Sequence, residues 1–391
     1  MPGQYFILIG NYPPDRQESM IRFTDLLAVG LRSRGMTVEV VTPQPMLLGN
    51  KAHPGRGIAK WLGYVDKWIL FPLTLRRLVR KRWRKFGDQI YYHICDHSNA
   101  PYLAHLPKER AAITCHDVLA IRGALGHPEA YCSASRTGIV LQRWILKHLS
   151  SAQRIACVSR RTLIQLCELS GSDHPGSGWK VVHNALNAEF KKIDKFKALQ
   201  ILEQNGIAIP QPFVLHVGSN LPRKNRRLLL QMSQQGDLSW SGNICFAGEP
   251  MDQLLFEEAK SLGITERVYS AAKPDHKTLC ALYSLAHALV FPSFSEGFGW
   301  PIIEAQACGV PVIASNLDPL IEVGGGAARH ADPQDAKSFA AALRTLDDPA
   351  IRQALIEKGH KNTARFGLMS MVDKYLELHD INQTAAVCTA N

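Results

Sequence analysis

Residues 295–315, SEGFGWPIIEAQACGVPVIAS, set two carboxylates, Glu296 and Glu304, on either side of a glycine-rich turn. The preceding run ALVFPS reads as a buried strand, so Glu296 is expected in a loop at that strand's carboxyl end. Pro301 suits the first turn of a helix, where its missing N–H costs nothing, and Gly309 suits the helix end. Glu304 then lies about one turn into a short helix whose N-terminus points at the same place. A helix start offers N–H groups and the positive end of a dipole, a natural seat for a phosphate. Carboxylates do not bind phosphate, but each accepts two hydrogen bonds from vicinal hydroxyls. Two of them flanking a phosphate seat fit a ligand with a sugar on either side, which is a nucleotide sugar.

A second phosphate element lies upstream. FVLHVG reads as a strand and SNLPRKNRRLLL follows it, which places Arg223 and Lys224 in a loop beyond a strand's carboxyl end, at the next helix start. Cations there meet the charge of a diphosphate.

The elements that must hold these residues form two series. YFILI (5–9), an amphipathic segment with Met20, Phe23, Leu27 and Leu31 on one face, and TVEVVTP (37–43) make a strand-helix-strand unit, expected to be parallel and right-handed. Short apolar strands recur at QIYYHI (89–94), AAITCH (111–116), RIACVS (154–159) and KVVHN (180–184). A polar, turn-rich interval over 184–212 follows. Alternation then restarts with FVLHVG (213–218), NICFAG (243–248), ALVFPS (288–293) and PVIAS (311–315). The reading is α/β, with two Rossmann-like doubly wound parallel-sheet domains facing a cleft and ligands at the carboxyl ends of the strands. The expected division is 1–190, 191–365 and a C-terminal helix over 366–391 that crosses back to the first domain. A chain of 391 residues suits two cores better than one. No strand leads into Gly-x-Gly-x-x-Gly, which counts against a dehydrogenase.

TCHDV, VGSNLPRKN and SEGFGWPIIEAQACGVPVIAS together resemble the family 4 glycosyltransferases of GT-B fold, over nearly the whole chain. The resemblance implies that Glu296 contacts the transferred sugar, that the backbone at Phe298 and Gly299 binds its hydroxyls, and that Gly297 belongs to the donor site. Glu304 would hold the ribose. Arg223, Lys224 and the helix start Trp300, Pro301 and Ile302 would carry the diphosphate charge. His116 matches the family histidine that faces the sugar and diphosphate from the first domain. Ser219 stands where the family commonly has Arg, which shifts weight to Arg223, and Trp300 replaces a usual aliphatic residue. His116 and Glu296 are therefore the expected catalytic pair. No cofactor is expected beyond the nucleotide diphosphate sugar, which is the donor substrate. No metal is expected either: two cations face the leaving group, and the chain lacks the Asp-x-Asp metal clamp of the other large glycosyltransferase fold. The implied reaction retains anomeric configuration. The Pro-Arg-Lys-Asn form is similar to bacterial mannosyltransferases of surface-polysaccharide synthesis, with GDP-mannose ahead of a UDP-hexose as donor.

NYPPDRQES (11–19) follows the first strand, so Asn11, Asp15 and Arg16 are expected on the acceptor side, with Asp96, His97, Ser98 and Asn99 as a weaker set after another strand. The expected acceptor is a glycan or a lipid-linked carrier. In residues 76–85 every side chain except Leu78, Val79 and Trp83 is Arg or Lys, and 58–86 interleaves Trp61, Trp68 and Trp83 with apolar residues. Pro72 is read as dividing this stretch into two helical pieces. A basic amphipathic helix of this kind adheres to an anionic leaflet, and also fits a core-packed helix with a solvated basic face.

Lys plus Arg number 45 against 34 Asp plus Glu, a formal net charge of +11, so an acidic partner is expected. Nucleic acid is set aside, because zinc spacings and RNP aromatic pairs are missing. The rival enzyme is a GT-B sugar-nucleotide epimerase, distinguished by free product formed without acceptor. The nine scattered cysteines include no Cys-x-x-Cys pair and read as reduced thiols. The N-terminus is unlike a secretory signal, and no window reaches the ~18–20 apolar residues of a membrane span. The expected location is cytoplasmic, peripheral at the inner face of the membrane.

Overall fold

The computed structural model describes residues 4–49, 57–171 and 178–381; the final residues of the expected C-terminal segment, 382–391, lie outside them. The chain forms two compact units, one of residues 1–125, 134–187 and 368–391, the other of residues 126–133 and 188–367. Residues 126–133, which the sequence reading leaves in the first domain, thus cluster with the second unit.

The first unit is built on a six-stranded sheet of β1 (Tyr5–Ile9), β2 (Thr37–Val41), β3 (Ile90–Ile94), β4 (Ala111–Cys115), β5 (Ile155–Cys157) and β6 (Trp179–Val181). Its order is β2-β1-β3-β4-β5-β6, and the pairings are parallel. Strands buried on both faces explain why YFILI and AAITC are continuous apolar runs, whereas edge strand β2 alternates. Helix Glu18–Ser33 covers one face through Phe23, Leu27 and Leu31.

Helix Leu368–Leu378 belongs to this unit. Arg34 holds Asp373 in a two-pronged pair at 2.8 and 2.6 Å. Inside, Tyr375 OH meets Thr114 Oγ1 at 2.9 Å, Thr114 Oγ1 meets His93 Nε2 at 2.8 Å, and His93 Nδ1 meets His379 Nε2 at 3.2 Å. Burial pushes both imidazoles down, His379 to about 3, so this buried network is neutral.

Residues 58–86 are one continuous helical run, not two pieces divided at Pro72. Helix Ile58–Val65 passes through a π-turn, Asp66–Leu70, into helix Phe71–Phe86, with backbone at the junctions staying right-handed helical. The π-turn supplies the slack that Pro72 needs, since proline offers no N–H to the preceding turn.

The second unit has a six-stranded parallel sheet of β7 (Phe213–Gly218), β8 (Asn243–Gly248), β9 (Val268–Ala272), β10 (Ala288–Phe291), β11 (Val312–Ser315) and β12 (Arg329–Ala331), in the order β12-β11-β10-β7-β8-β9. The chain therefore leaves β7 and returns on its other side at β10, and the two central strands feed the loops singled out by sequence.

Candidate functional site

Both loops leave the carboxyl edge of the second sheet and are fastened to each other. After β7, Ser219 is half-buried and the chain makes a tight turn, Pro222–Lys224, ended by Asn225 at φ 50°. Asn225 Nδ2 donates to the carbonyls of Pro292 (3.1 Å) and Pro333 (2.7 Å), which fixes that left-handed residue against β10's exit. Phe294 N donates to Arg223 O at 2.7 Å, and Arg223 Nη1 donates to Ser295 O at 3.0 Å.

Glu296 closes the arrangement. Its Oε2 accepts from Arg223 Nη1 at 2.9 Å and its Oε1 from Lys224 Nζ at 2.6 Å, with only 8% of its side chain exposed. Burial works to raise this carboxyl, but the charges of Lys224 and Arg223 and the hydrogen bond from Lys224 outweigh it and hold it at about 2. Glu296 is therefore ionised, and the trio of one carboxylate and two cations carries one net positive charge. Lys224 Nζ also lies 5.0 Å over the Phe291 ring.

Gly299 takes φ +106°, and a Cβ there would come within 2.7 Å of Leu320 Cδ2, so both backbone and space require glycine. Helix Trp300–Ala307 starts immediately after it. At its start Pro301 has no N–H, and that of Ile302 is donated to Gly299 O at 3.1 Å. The Ile302 side chain is fully buried. Neither residue thus presents an N–H to a phosphate, and what this helix start offers is its dipole. Gly297 leads into Phe298, whose buried ring meets Trp300 and Phe366 edge-on at 5.9 and 5.8 Å and anchors the loop.

Glu304 is 5% exposed and its Oε2 accepts from Tyr283 OH at 2.9 Å. Three further groups here carried no legible signal. His216, in β7, is buried with Nδ1 3.2 Å from Val290 O and is pushed down to about 3 by burial, Lys224 and Arg226. Tyr131, at φ 51°, stacks on Phe294 at 4.7 Å from the segment 126–133. Glu249 Oε2 accepts from Asn220 N at 2.8 Å.

In the first unit the two acceptor-side sets come together. Asn11 is buried after β1 and donates to Asp96 Oδ2 (2.5 Å) and to Gln17, while Asn99 Nδ2 donates to Asn11 Oδ1 (3.1 Å). Asp96 is held low: burial opposes this, and His97, His116, Asn11 and the Ser98 N–H prevail. Asp15 pairs with Lys67 at 2.9 Å, and Tyr12 OH donates to Asp66 at 2.8 Å, so the 11–16 loop is tied to the π-turn. Arg16 is exposed, at φ 51°. His116 Nε2 lies 2.9 Å from Cys95 O, which can only accept, so Nε2 carries the proton and Nδ1 is the basic nitrogen. Burial holds His116 below the ordinary histidine value despite Asp96 and Cys95 O, so the ring is neutral at pH 7.

Two doubly wound units, the second with a cation pair and a glycine loop at the carboxyl edge of its sheet, define a glycosyl-transfer enzyme of GT-B architecture. The chain belongs to the family 4 glycosyltransferases, enzymes that use a nucleotide sugar: the family model for glycosyl transferases group 1 matches residues 199–362, and that for Glycosyltransferase Family 4 matches residues 21–190. It is similar to O-antigen chain mannosyltransferase B of Escherichia coli, with 30% identity over 298 residues, 73% of either chain. Among solved structures it is similar in fold to sucrose-phosphate synthase from Thermosynechococcus elongatus, with a TM-score of 0.68, 21% identity and coverage of 96% of this chain and 98% of that one. The Anabaena protein HepE, in complex with UDP and glucose, also matches with a TM-score of 0.68, at 16% identity over 96% of this chain and 98% of that one.

Proposed function

We propose that this enzyme is a retaining mannosyltransferase that moves mannose from GDP-mannose to a glycan or lipid-linked acceptor in cell-envelope polysaccharide synthesis. The observation that carries the reading is the Arg223–Glu296–Lys224 cluster, an ionised carboxylate holding two cations beside a glycine loop. Likeness to an O-antigen mannosyltransferase supports mannose as the sugar.

In transfer, the bond from the anomeric carbon to the donor phosphate oxygen breaks and one to the acceptor oxygen forms. Negative charge grows on the leaving diphosphate, and Arg223 and Lys224, preorganised by Glu296, stabilise it with the dipole of the helix that starts at Trp300. The acceptor's proton passes to the leaving phosphate on the same face of the sugar, which retains configuration without a covalent enzyme intermediate. Glu296 and the loop from Gly297 to Gly299 orient the sugar, Glu304 takes the ribose hydroxyls, and neutral His116 is the catalytic candidate of the first unit. Ser219 borders the diphosphate seat, and Asn11, Asp15 and Arg16 serve the acceptor.

The lipid-linked form of the acceptor is supported by the 58–86 run. Ile58, Trp61, Ile69 and Leu73 are exposed on it, Trp61 to 59%, while Trp68 packs inside against Tyr102 and Trp144. A cavity of about 390 Å³ lined by Val40, Val41, Met46, Leu70, Phe71 and Leu78 borders the same run. Among the described residues no helix is long and apolar enough to cross a membrane, so attachment would be peripheral.

The test is a thermal-shift and turnover panel of GDP- and UDP-sugars. Stabilisation and acceptor-dependent release of GDP from GDP-mannose support the proposal. Free altered sugar without acceptor would point to an epimerase, and a shift with UDP-hexoses alone would overturn the choice of donor.

A further inference from the structure

The sequence reading assigns Glu304 a role but says nothing of what holds it. Helix His276–Leu285 carries Tyr283, a wholly buried side chain whose ring meets Phe190 at 6.1 Å and whose hydroxyl donates to Glu304 Oε2 at 2.9 Å. The two helices are thus joined at Glu304 through a phenol.

A phenol donating to a carboxylate is charge-assisted, short and directional. Tyr283 suits the task for a second reason: its ring is clamped by burial and has only two side-chain torsions, so the position of its oxygen is set by the fold. Glu304 has three torsions, so a bond to one of its oxygens matters for the plane of its carboxylate. The bond to Tyr283 engages one oxygen and thereby orients both. Burial and Glu304 push the phenol well above its ordinary value, so it stays a donor across the whole working range of pH.

We propose that Tyr283 is a positioning residue for the donor site: it holds the Glu304 carboxylate in the plane that accepts the ribose hydroxyls, and so sets discrimination between ribo- and 2′-deoxyribonucleotide donors. This rests on the reading of Glu304 as the ribose acceptor. If Tyr283 merely satisfied a buried carboxylate, removing its oxygen would lower stability without changing which sugar ring is preferred.

The experiment measures binding of GDP and UDP and of their 2′-deoxy counterparts to the whole protein and to Tyr283→Phe, Glu304→Gln and the double variant, with steady-state kinetics on the preferred donor. Tyr283→Phe should weaken ribonucleotide binding about tenfold, the size of one charge-assisted hydrogen bond, and raise KM while kcat stays within about twofold. Its binding of the 2′-deoxy forms should change much less, so the preference for ribose collapses. The double variant should match Glu304→Gln alone, because the phenol acts only through that carboxylate. This comparison also serves if the single Phe variant is too unstable to assay. A lost preference in Glu304→Gln, with full preference retained in Tyr283→Phe, would overturn the positioning role alone. Unchanged donor binding in Glu304→Gln would overturn the ribose reading, and this inference with it.

Discussion

Glu296→Gln separates the account of the phosphate seat from a purely structural one, because it should improve one kind of binding while damaging everything else. In the native protein the carboxylate sits 2.6 Å from Lys224 Nζ and 2.9 Å from Arg223 Nη1. A phosphate oxygen taking another N–H of Lys224 would lie about 5 Å from Glu296, one hydrogen bond beyond the ammonium. At that separation the repulsion removed by neutralising Glu296 is roughly 1–3 kcal/mol per unit of phosphate charge, for an effective dielectric between water and a protein surface. GDP or UDP should therefore bind roughly five- to a hundred-fold more tightly. The same change should cost the unliganded second unit about 3 kcal/mol, from a carboxyl held near 2 against its ordinary 4.5. Because that carboxyl is depressed, its contribution is complete above pH 4.5 and lost as pH falls toward 2, a loss the variant should no longer show. Turnover should fall by about two orders of magnitude or more, since the cations are no longer preorganised. Calorimetric titration with each nucleoside diphosphate, beside thermal melts with and without ligand, checks all three effects. A folded variant that binds nucleoside diphosphate no better than the native protein would refute the placement of Glu296 as counter-charge to the seat.

Lys224→Ala should lower turnover by a barrier of ~2–4 kcal/mol, and activity should survive EDTA; activity lost in EDTA and restored by magnesium would contradict a cation-only mechanism. His379 and His216, buried neutral at about 3, each remove about 1 kcal/mol of stability between pH 7 and 5.5. Their folded values lie below the unfolded one near 6.5, so their contribution is complete above that pH and lost toward acid. His379→Gln should flatten the acid dependence of the first unit's melting temperature, and an unchanged slope would refute the assignment. Arg77, Arg80, Lys81 and Arg84→Gln should abolish salt-sensitive sedimentation with anionic vesicles, each basic residue contributing about 1 kcal/mol near such a surface. Arg82 is left intact there because it holds Glu39 in a two-pronged pair at 2.8 and 2.9 Å. Equal pelleting of both proteins would make the basic face an ordinary solvated one.

Much of this was legible because the chemistry is local. The strands β7, β10 and β11 are mostly apolar runs, and the loops beyond them carry glycine, proline and charge in a few consecutive residues, so strand end, turn and helix start could be read together. β9 and β12 escaped because they are edge strands: VYSAA and RHA have little apolar surface to bury and hence little pattern. Tyr283 looks like any apolar-face residue of its helix, and its meeting with Glu304 is made by packing across 21 positions of chain. The closed turn from Ile302 N–H back to Gly299 O likewise has no signal in the sequence. Pro72 was read as a break because a π-turn has no composition of its own. The pairing of Arg223 and Lys224 with Glu296 was also out of reach, since the residues were assigned to different parts of the ligand and only the fold brings their side chains together.

The most direct measurement is the fate of GDP-mannose labelled in its sugar, incubated in EDTA with the purified enzyme and with membrane glycolipid extract as acceptor. The account predicts acceptor-dependent release of GDP and an α-linked labelled mannose in the glycolipid fraction, with the linkage read by nuclear magnetic resonance. A β-linked product, or no transfer from any nucleotide sugar in the presence of such acceptors, would contradict it.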